Sequence, residues 1–297
     1  MKTGSEGQEC AEVVEGIRRE RSLEGSLERF PSGSVPVFAV GDEHVVKLFP
    51  PTDRSWFDTE RATLEHIEGR LPVPTPRLIG SGESGPWSYV VMTRLPGRSM
   101  AEAWPTIASE NRISLMREAG AALAALHAIL ADQVASTAID WPRFMAAQRA
   151  SCRANQNAKG LAAPWVEALD GFLARWAPAD EGPRVLLHTE VMREHFLVDR
   201  RDGAWRLSGL LDFEDALLGA PEYELAAVGI FLAAAEPGLL RAFLDAYGAS
   251  IDDELPLRIM AYALLHRHSN LRWYLERLPA PDVAGDLEAL ARRWFRP

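Results

Sequence analysis

The segment VLLHTEVMREHFLVDRR, residues 185–201, sets His188, Glu190 and His195 next to short apolar runs. His188, Glu190 and His195 follow one another at intervals of two and five residues. Polar groups are costly to bury unless they have partners. The segment is therefore either a well-satisfied turn of the core or a functional site, and the sequence that follows it favours the site.

A β-hairpin is predicted directly after this segment. The strand-like runs HFLVD (195–199) and WRLSGLLDF (205–213) are joined by RRDGA, in which Asp-Gly is a natural hairpin turn. Glu190 and His195 precede or begin the first strand, and Asp212 ends the second. Because the open ends of a hairpin lie together, we expect these three side chains at one mouth.

The character of the chain changes once, near residue 95. Before it, a polar helix covers about the first 20 residues, and strand-like runs at 34–40, 43–49 and 87–95 enclose one helical pattern at 58–71. After it, helical patterns dominate, at 114–130, 165–176, 223–235, 239–248 and 257–278. We predict an α+β protein with a small β-rich N-lobe, residues 1–95, and a larger helical C-lobe, residues 96–297, that carries the hairpin.

The composition excludes several classes of protein. The longest apolar runs are shorter than the ~20 residues that span a bilayer, and the N-terminus lacks the apolar region of a signal peptide. We therefore expect no membrane association and a cytoplasmic location, which the 2 cysteines also suit. A net charge of −10 argues against a nucleic-acid partner and would suit a cationic ligand. The sequence leaves a monomer and a homodimer equally open.

The hairpin region resembles the aminoglycoside phosphotransferase family, a branch of the protein-kinase-like fold. The catalytic stretch of that family reads His-Gly-Asp, four residues and Asn, followed by a strand pair that ends in Ile-Asp-Phe or similar. HTEVMREHFLV and GLLDFEDALLGAPEYELA fall into this register without a gap. The resemblance covers nearly all of residues 30–270, and VVKLF and VPTPRLIGSG are similar to the hygromycin-type enzymes.

This resemblance implies a bilobal protein-kinase-like fold and a small-molecule kinase. Such an enzyme transfers the γ-phosphate of ATP or GTP to a hydroxyl of an aminoglycoside or a related natural product or metabolite. The reaction needs Mg²⁺, or Mn²⁺, to hold the phosphates, and residues that position the two substrates.

The nucleotide-binding residues implied by the resemblance lie mostly in the N-lobe. HVVKLF resembles the strand whose lysine binds the α- and β-phosphates, which gives Lys47, and FDTERATLEHI resembles the helix whose glutamate pairs with it, which gives Glu60. YVVMTRLPG resembles the hinge that carries the adenine, with Thr93 and Leu95 as candidates. The turn PSGSVPVF offers Ser34 near the phosphates, although its single interior glycine makes a poor cradle.

Two positions of the catalytic stretch depart from the family. Glu190 stands in place of the catalytic Asp and would orient the acceptor hydroxyl from a side chain one methylene longer. His195 stands in place of the metal-binding Asn, and imidazole suits Mn²⁺ or Zn²⁺ better than Mg²⁺. Asp212 is the expected metal ligand, with His195 or Glu194 as the second. His188 is expected to hold the catalytic turn by hydrogen bonds.

These departures leave a second hypothesis open. A kinase-fold protein that binds nucleotide or another ligand, with little or no transferase activity, would also tolerate replacements at 190 and 195. Lys47, Glu60 and Asp212 are all present, and this favours the enzyme.

Five further polar residues carry expectations of their own. His266 and His268 lie two residues apart in the predicted helix 257–278 and so would not share a face, which argues against a zinc site. Glu224 is expected to cap or brace the helix that follows the hairpin. Together with Asp215 and Glu222 it is also a candidate for the wall of an acceptor pocket.

Overall fold

The computed structural model describes residues 3–31, 33–129, 139–178, 182–236 and 238–297. Ser32 of the predicted turn and Leu130 at the end of a predicted helix lie outside these ranges. The ten strands of the described residues are β1 Leu27–Arg29, β2 Val37–Val40, β3 His44–Phe49, β4 Leu78–Ser84, β5 Trp87–Thr93, β6 Arg98–Ser99, β7 Val185–Leu187, β8 Phe196–Arg201, β9 Ala204–Leu210 and β10 Leu217–Gly219. Their α-helices are α1 Thr3–Glu20, α2 Arg54–Ile67, α3 Met100–Ala103, α4 Ser109–His127, α5 Trp141–Ala158, α6 Ala163–Trp176, α7 Pro221–Ala227, α8 Leu239–Tyr247, α9 Leu255–Leu265, α10 Leu271–Arg277 and α11 Leu287–Trp294.

The N-terminal elements form a five-stranded antiparallel sheet in the order β1-β2-β3-β5-β4. Because side chains alternate along a strand, Val46 and Leu48 of β3 face one side, where they pack with Val14 and Ile17 of α1. Lys47 therefore faces the other side of the sheet, where α2 lies. The alternation of β3 thus fixes the position of the lysine relative to that helix.

Helix α2 presents its buried face to this second side of the sheet. Phe57, Glu60, Leu64 and Ile67 are all buried, at intervals of three and four residues that place them on one stripe. Glu60 is thus an acid at a core position, and such a residue needs a partner. Lys47 on β3 supplies it.

The larger, mostly helical part of the chain begins with β6 and contains the remaining small sheets, β7 with β10 and β6-β8-β9. One continuous hydrophobic core runs from the underside of the N-terminal sheet through the helices to α11. The α+β fold with a small β-rich part and a larger helical part is as predicted. The boundary at residue 95 stays a prediction. Among the described helices, none is long and apolar enough to cross a membrane.

The predicted hairpin is present as β8 and β9, and its turn is Asp202-Gly203. Both turn residues have positive φ, 52° and 80°, as a two-residue type I′ turn requires. Gly209 on β9 has no room for a side chain, because a Cβ there would lie 2.7 Å from Leu95 Cδ1. The hairpin therefore packs closely under the segment that follows β5.

The predicted helix 257–278 is wrong in one respect, because the structure divides it into α9 and α10. His266 has extended backbone angles, φ −62° and ψ 143°, and ends α9. Asn270 then caps α10 by accepting a hydrogen bond from the N–H of Trp273 at 3.2 Å. His266 and His268 consequently lie in a non-helical connection, so the argument from helical spacing does not apply to them.

Two helical glycines predict opposite responses to the same substitution. A Cβ at Gly120 of α4 would lie 2.4 Å from the carbonyl oxygen of Phe243 on α8, whereas one at Gly171 of α6 meets nothing within 4 Å. Gly120→Ala is expected to lower the free energy of unfolding by about 1–3 kcal/mol through overpacking. Gly171→Ala should raise it by about 1 kcal/mol through helix propensity. Urea unfolding of both variants tests this, and equal shifts would contradict the close approach of α4 and α8.

Candidate active site

Lys47 lies at the centre of a buried cluster of carboxylates. Its Nζ is 3.0 Å from Glu60 Oε2, 2.6 Å from Asp212 Oδ1 and 2.8 Å from Glu214 Oε2. The side chains of Lys47, Glu60 and Glu214 are at most 6% exposed, and that of Asp212 is 29% exposed. One lysine thus faces three acids, and the cluster carries excess negative charge when all are ionised.

The pKa values follow from this crowding. Burial raises the pKa of Glu60 to about 7; Lys47 opposes the rise, and Asp212 and Glu214 add to it. Burial would also raise the pKa of Asp212, but the ion pair with Lys47 and the nearby His195 hold it well below its usual range. Burial would lower the pKa of Lys47, yet the three carboxylates raise it well above its usual value. Lys47 and Asp212 are therefore charged at neutral pH.

His188 holds the turn of residues 188–190, the candidate catalytic turn, by hydrogen bonds at both ring nitrogens. His188 Nδ1 lies 3.3 Å from the N–H of Glu190 and accepts its hydrogen bond. Its Nε2 must then carry the proton and donates to the carbonyl oxygen of Leu211 at 2.8 Å. Burial lowers the pKa of His188, which keeps it in this neutral form. The ring thus ties the turn to the residue that precedes Asp212.

Glu224 braces the same turn, not the helix to which it belongs. Its fully buried carboxylate accepts the backbone N–H of His188 at 2.7 Å and that of Thr189 at 2.6 Å. Thr189 has φ 72°, a left-handed conformation that is costly for a β-branched residue. The expectation that Glu224 serves α7 is therefore wrong, since its oxygens hold a strained turn in place.

The carboxylate of Glu190 lies between two histidines, each of which contacts an aspartate. On one side, His195 donates from Nδ1 to the carbonyl oxygen of Glu190 at 2.8 Å, and its Nε2 lies 3.4 Å from Asp212 Oδ2. On the other side, His268 Nε2 lies 2.7 Å from Asp215 Oδ2. Burial raises the pKa of Glu190, the two histidines lower it, and the two aspartates raise it again.

Asp215 is buried and binds two residues of the connection between α9 and α10, Arg267 and His268. Its second oxygen receives Arg267 Nη1 at 2.8 Å, and the hydrogen bond from His268 is the first cause that holds the pKa of Asp215 below its usual value, against the effect of burial. The same hydrogen bond raises the pKa of His268. Asp215 thus holds His268 beside Glu190. This contact depends on the break between α9 and α10, which the predicted continuous helix lacked.

The two predicted hinge residues, Thr93 and Leu95, differ in whether the backbone N–H is already hydrogen-bonded. The N–H of Thr93 donates to the carbonyl oxygen of Arg77 at 3.0 Å, and its Oγ1 accepts the N–H of Arg77 at 2.9 Å. The N–H of Leu95 forms no hydrogen bond within the part of the chain that the structure describes. Of the two, Leu95 is the residue with a backbone donor available to a ligand. Ser34 lies at the carboxylate cluster, where its hydroxyl donates to Glu214 Oε1.

The donors around Asp212 fit a hard divalent cation. Oxygens of Glu60, Asp212 and Glu214 lie within 4.8 Å of one another, and a second group within the same distance joins Glu190, His195 and Asp212. Carboxylate oxygens are what Mg²⁺ prefers, while the imidazole of the second group suits Mn²⁺ better. Glu194 is exposed and belongs to neither group. The residue that sequence reasoning overlooked is Glu214, two positions after Asp212.

The model of the phosphotransferase enzyme family, APH, matches residues 26–262. The chain belongs to this family. The match confirms the resemblance and the prediction of a phosphotransferase that acts on a hydroxyl group.

Solved structures with a similar fold confirm the fold of this chain. The GDP complex of aminoglycoside 2'-phosphotransferase-IIIa is similar with a TM-score of 0.71 at 15% identity, over 96% of this chain and 98% of that chain. The streptomycin–ATP complex of APH(2")-IIa has a TM-score of 0.65 at 14% identity, over 94% and 98%. Macrolide 2'-phosphotransferase MphH from Brachybacterium faecium has a TM-score of 0.62 at 21% identity, over 95% and 97%. These similarities establish the protein-kinase-like fold.

Proposed function

We propose that this chain is a kinase of small molecules that transfers the γ-phosphate of ATP or GTP to a hydroxyl of an aminoglycoside or a related natural product. The observation that carries the proposal is the buried group of Lys47 with Glu60, Asp212 and Glu214. Burying charge is costly unless it is balanced. One lysine and one divalent cation would together offset the charge of these carboxylates, and this supports a site that binds a metal ion beside the lysine.

The roles of the site residues follow from this placement. Lys47 would bind the α- and β-phosphates, and Glu60 would hold it there from α2. Asp212 would hold the metal ion, with Glu214 and His195 as the neighbouring donors. The ion, when bound, neutralises charge on the phosphates. Leu95 would offer its N–H to the purine base of the nucleotide. Ser34, whose hydroxyl donates to Glu214 of the cluster, would contact a phosphate.

Glu190 would act on the acceptor. Its carboxylate can accept the proton of the attacking hydroxyl, and burial brings its pKa closer to neutrality, where a general base works best. His188 and Glu224 act through the turn and hold Glu190 in position. Catalysis would come mainly from orienting the two substrates and from stabilising charge on the transferred group.

The test is a thermal-shift titration with ATP and with GTP, each with Mg²⁺, with Mn²⁺ and without metal. Nucleotide at ~100 times its dissociation constant should stabilise the protein by about 2.7 kcal/mol. The shift is expected to depend on metal and to lose that dependence in Asp212→Asn. Glu194→Gln, which changes an exposed acid outside both donor groups, is the matched control. A shift that is independent of metal, with no acceptor-dependent release of ADP, would identify a binding protein instead.

A further inference from the structure

A cavity of about 200 Å³ lies directly beside Glu190. The catalytic turn forms one wall, with Met192, and helix α7 and the π-helical turn Val228–Leu232 form the second, with Ile230 and Phe231. Helix α10 forms the third wall with Trp273 and Tyr274. A substrate in this cavity would have its hydroxyl next to the proposed base.

Apolar and aromatic side chains form most of the lining of this cavity, and its polar residues are Thr189, Glu190, His266 and His268. The ring of Phe231 lies 5.5 Å from that of Trp273 and 5.7 Å from that of Tyr274, and the second pair meets edge to face. Trp273 is 44% exposed, which makes it the most exposed large apolar residue of the described chain. Trp273 therefore exposes its indole beside the catalytic turn. Covering this ring with a flat apolar surface would be favourable, because it buries apolar area and allows the rings to stack.

The charges around the cavity do not favour a polycation. Among the described lining residues Glu190 is the single acid, and the carboxylate of Asp215 behind it is already bound by Arg267 and His268. The guanidinium of Arg277 lies 5.6 Å from the ring centre of Phe231 and 6.0 Å from that of Trp273. The guanidinium of Arg277, on helix α10, thus lies near both rings and disfavours a second cation beside them.

We propose that the acceptor enters this cavity with an uncharged ring adjacent to its hydroxyl, and that Trp273 stacks on that ring. The inference rests on the proposed function and narrows it, because it selects apolar, ring-bearing natural products over polycationic amino sugars. The described lining supplies contact area, one carboxylate at Glu190 and the imidazoles of His266 and His268, and no set of acids that could hold several ammonium groups.

The experiment compares two probes of equal size. Tyrosol and tyramine share a phenol ring and differ in a terminal hydroxyl or ammonium group. Binding is measured by ligand-observed NMR on the natural chain without nucleotide, so that Glu190 is present in the cavity and no phosphate is transferred. Tyrosol is expected to bind at least about tenfold more tightly than tyramine, a difference of about 1.4 kcal/mol.

Variants of the wall supply the second measurement. Trp273→Ala should weaken the binding of tyrosol about tenfold, Trp273→Phe should restore most of it, and Ile79→Ala, at an exposed apolar residue of the N-terminal sheet, should change nothing. Tighter binding of tyramine, or no effect of Trp273→Ala, would overturn the inference.

The failure of the inference can be distinguished from the failure of the proposed function. If kanamycin supports ADP release that Trp273→Ala leaves intact, the protein is a kinase and the inference about its acceptor fails. If tyrosol binds as expected but no metal-dependent nucleotide shift occurs, the proposed function fails instead.

Discussion

Glu190→Gln is expected to lower kcat by about 10²–10⁴-fold, the range that a general base contributes. Glutamine has the same length and can accept a hydrogen bond, but it cannot take a proton from the acceptor hydroxyl. The backbone contacts of residue 190, with His188 Nδ1 and His195 Nδ1, do not involve the side chain and should persist. Nucleotide binding should therefore be unchanged, since Lys47 and Asp212 are untouched.

Steady-state kinetics with an acceptor and nucleotide binding measured separately will test this prediction. Glu194→Gln, at an exposed acid of the same turn, is the control and should keep kcat within about twofold, as a surface substitution does. The pH profile gives an independent readout. Because burial raises the pKa of Glu190, activity should be lost as the pH falls through that raised value. A Glu190→Gln variant with unchanged kcat would show that another group accepts the proton.

Glu190→Asp tests the additional methylene of this chain. It restores the residue type of the family, yet the structure supports the catalytic turn around the longer side chain. The carboxylate of aspartate would withdraw by about one bond length, and a misplacement of ~1 Å can cost about 10²-fold in rate. We expect Glu190→Asp to be less active than the natural chain and more active than Glu190→Gln.

The resemblance to the family implied the pairing of Lys47 with Glu60, and the structure shows how local rules make this pairing possible. Alternation on β3 places Lys47 toward α2, and helical periodicity places Glu60 on the buried stripe of that helix. The Asp-Gly turn closes the hairpin and brings Asp212 back toward His195. The hairpin depends only on neighbours in the sequence, and for that reason a single chain predicts it.

The parts that the sequence did not reveal depend on how distant segments meet. Asn270 starts a new helix within a continuous helical pattern, and this break allows His268 to reach Asp215, 53 residues away. Asn270 is a recognisable N-cap residue, but the apolar periodicity on both sides concealed it. Helix α5 has a start signal that the sequence shows directly, since Asp140 caps it and Pro142 occupies its first turn.

The prediction with the largest effect on stability concerns Glu224. Glu224→Ala is expected to lower the free energy of unfolding by about 2–6 kcal/mol, because two buried N–H groups, of His188 and Thr189, lose their acceptor and each costs about 1–3 kcal/mol. Glu224→Gln retains one carbonyl oxygen, leaves one N–H group without an acceptor, and should cost about half as much. Urea unfolding measures both.

Glu222, on the same helix, provides the matched control. Its carboxylate pairs with Arg258 at 3.0 Å with a third of its side chain exposed, so Glu222→Ala should cost only about 0–1 kcal/mol. Equal costs for the two alanine variants would show that the turn does not depend on Glu224. If Glu224→Gln remains folded, its kcat should still fall while its nucleotide affinity holds, because the turn that positions Glu190 loses one of its two anchors. A turn that contains a threonine at φ 72° needs both hydrogen bonds to stay in its strained conformation.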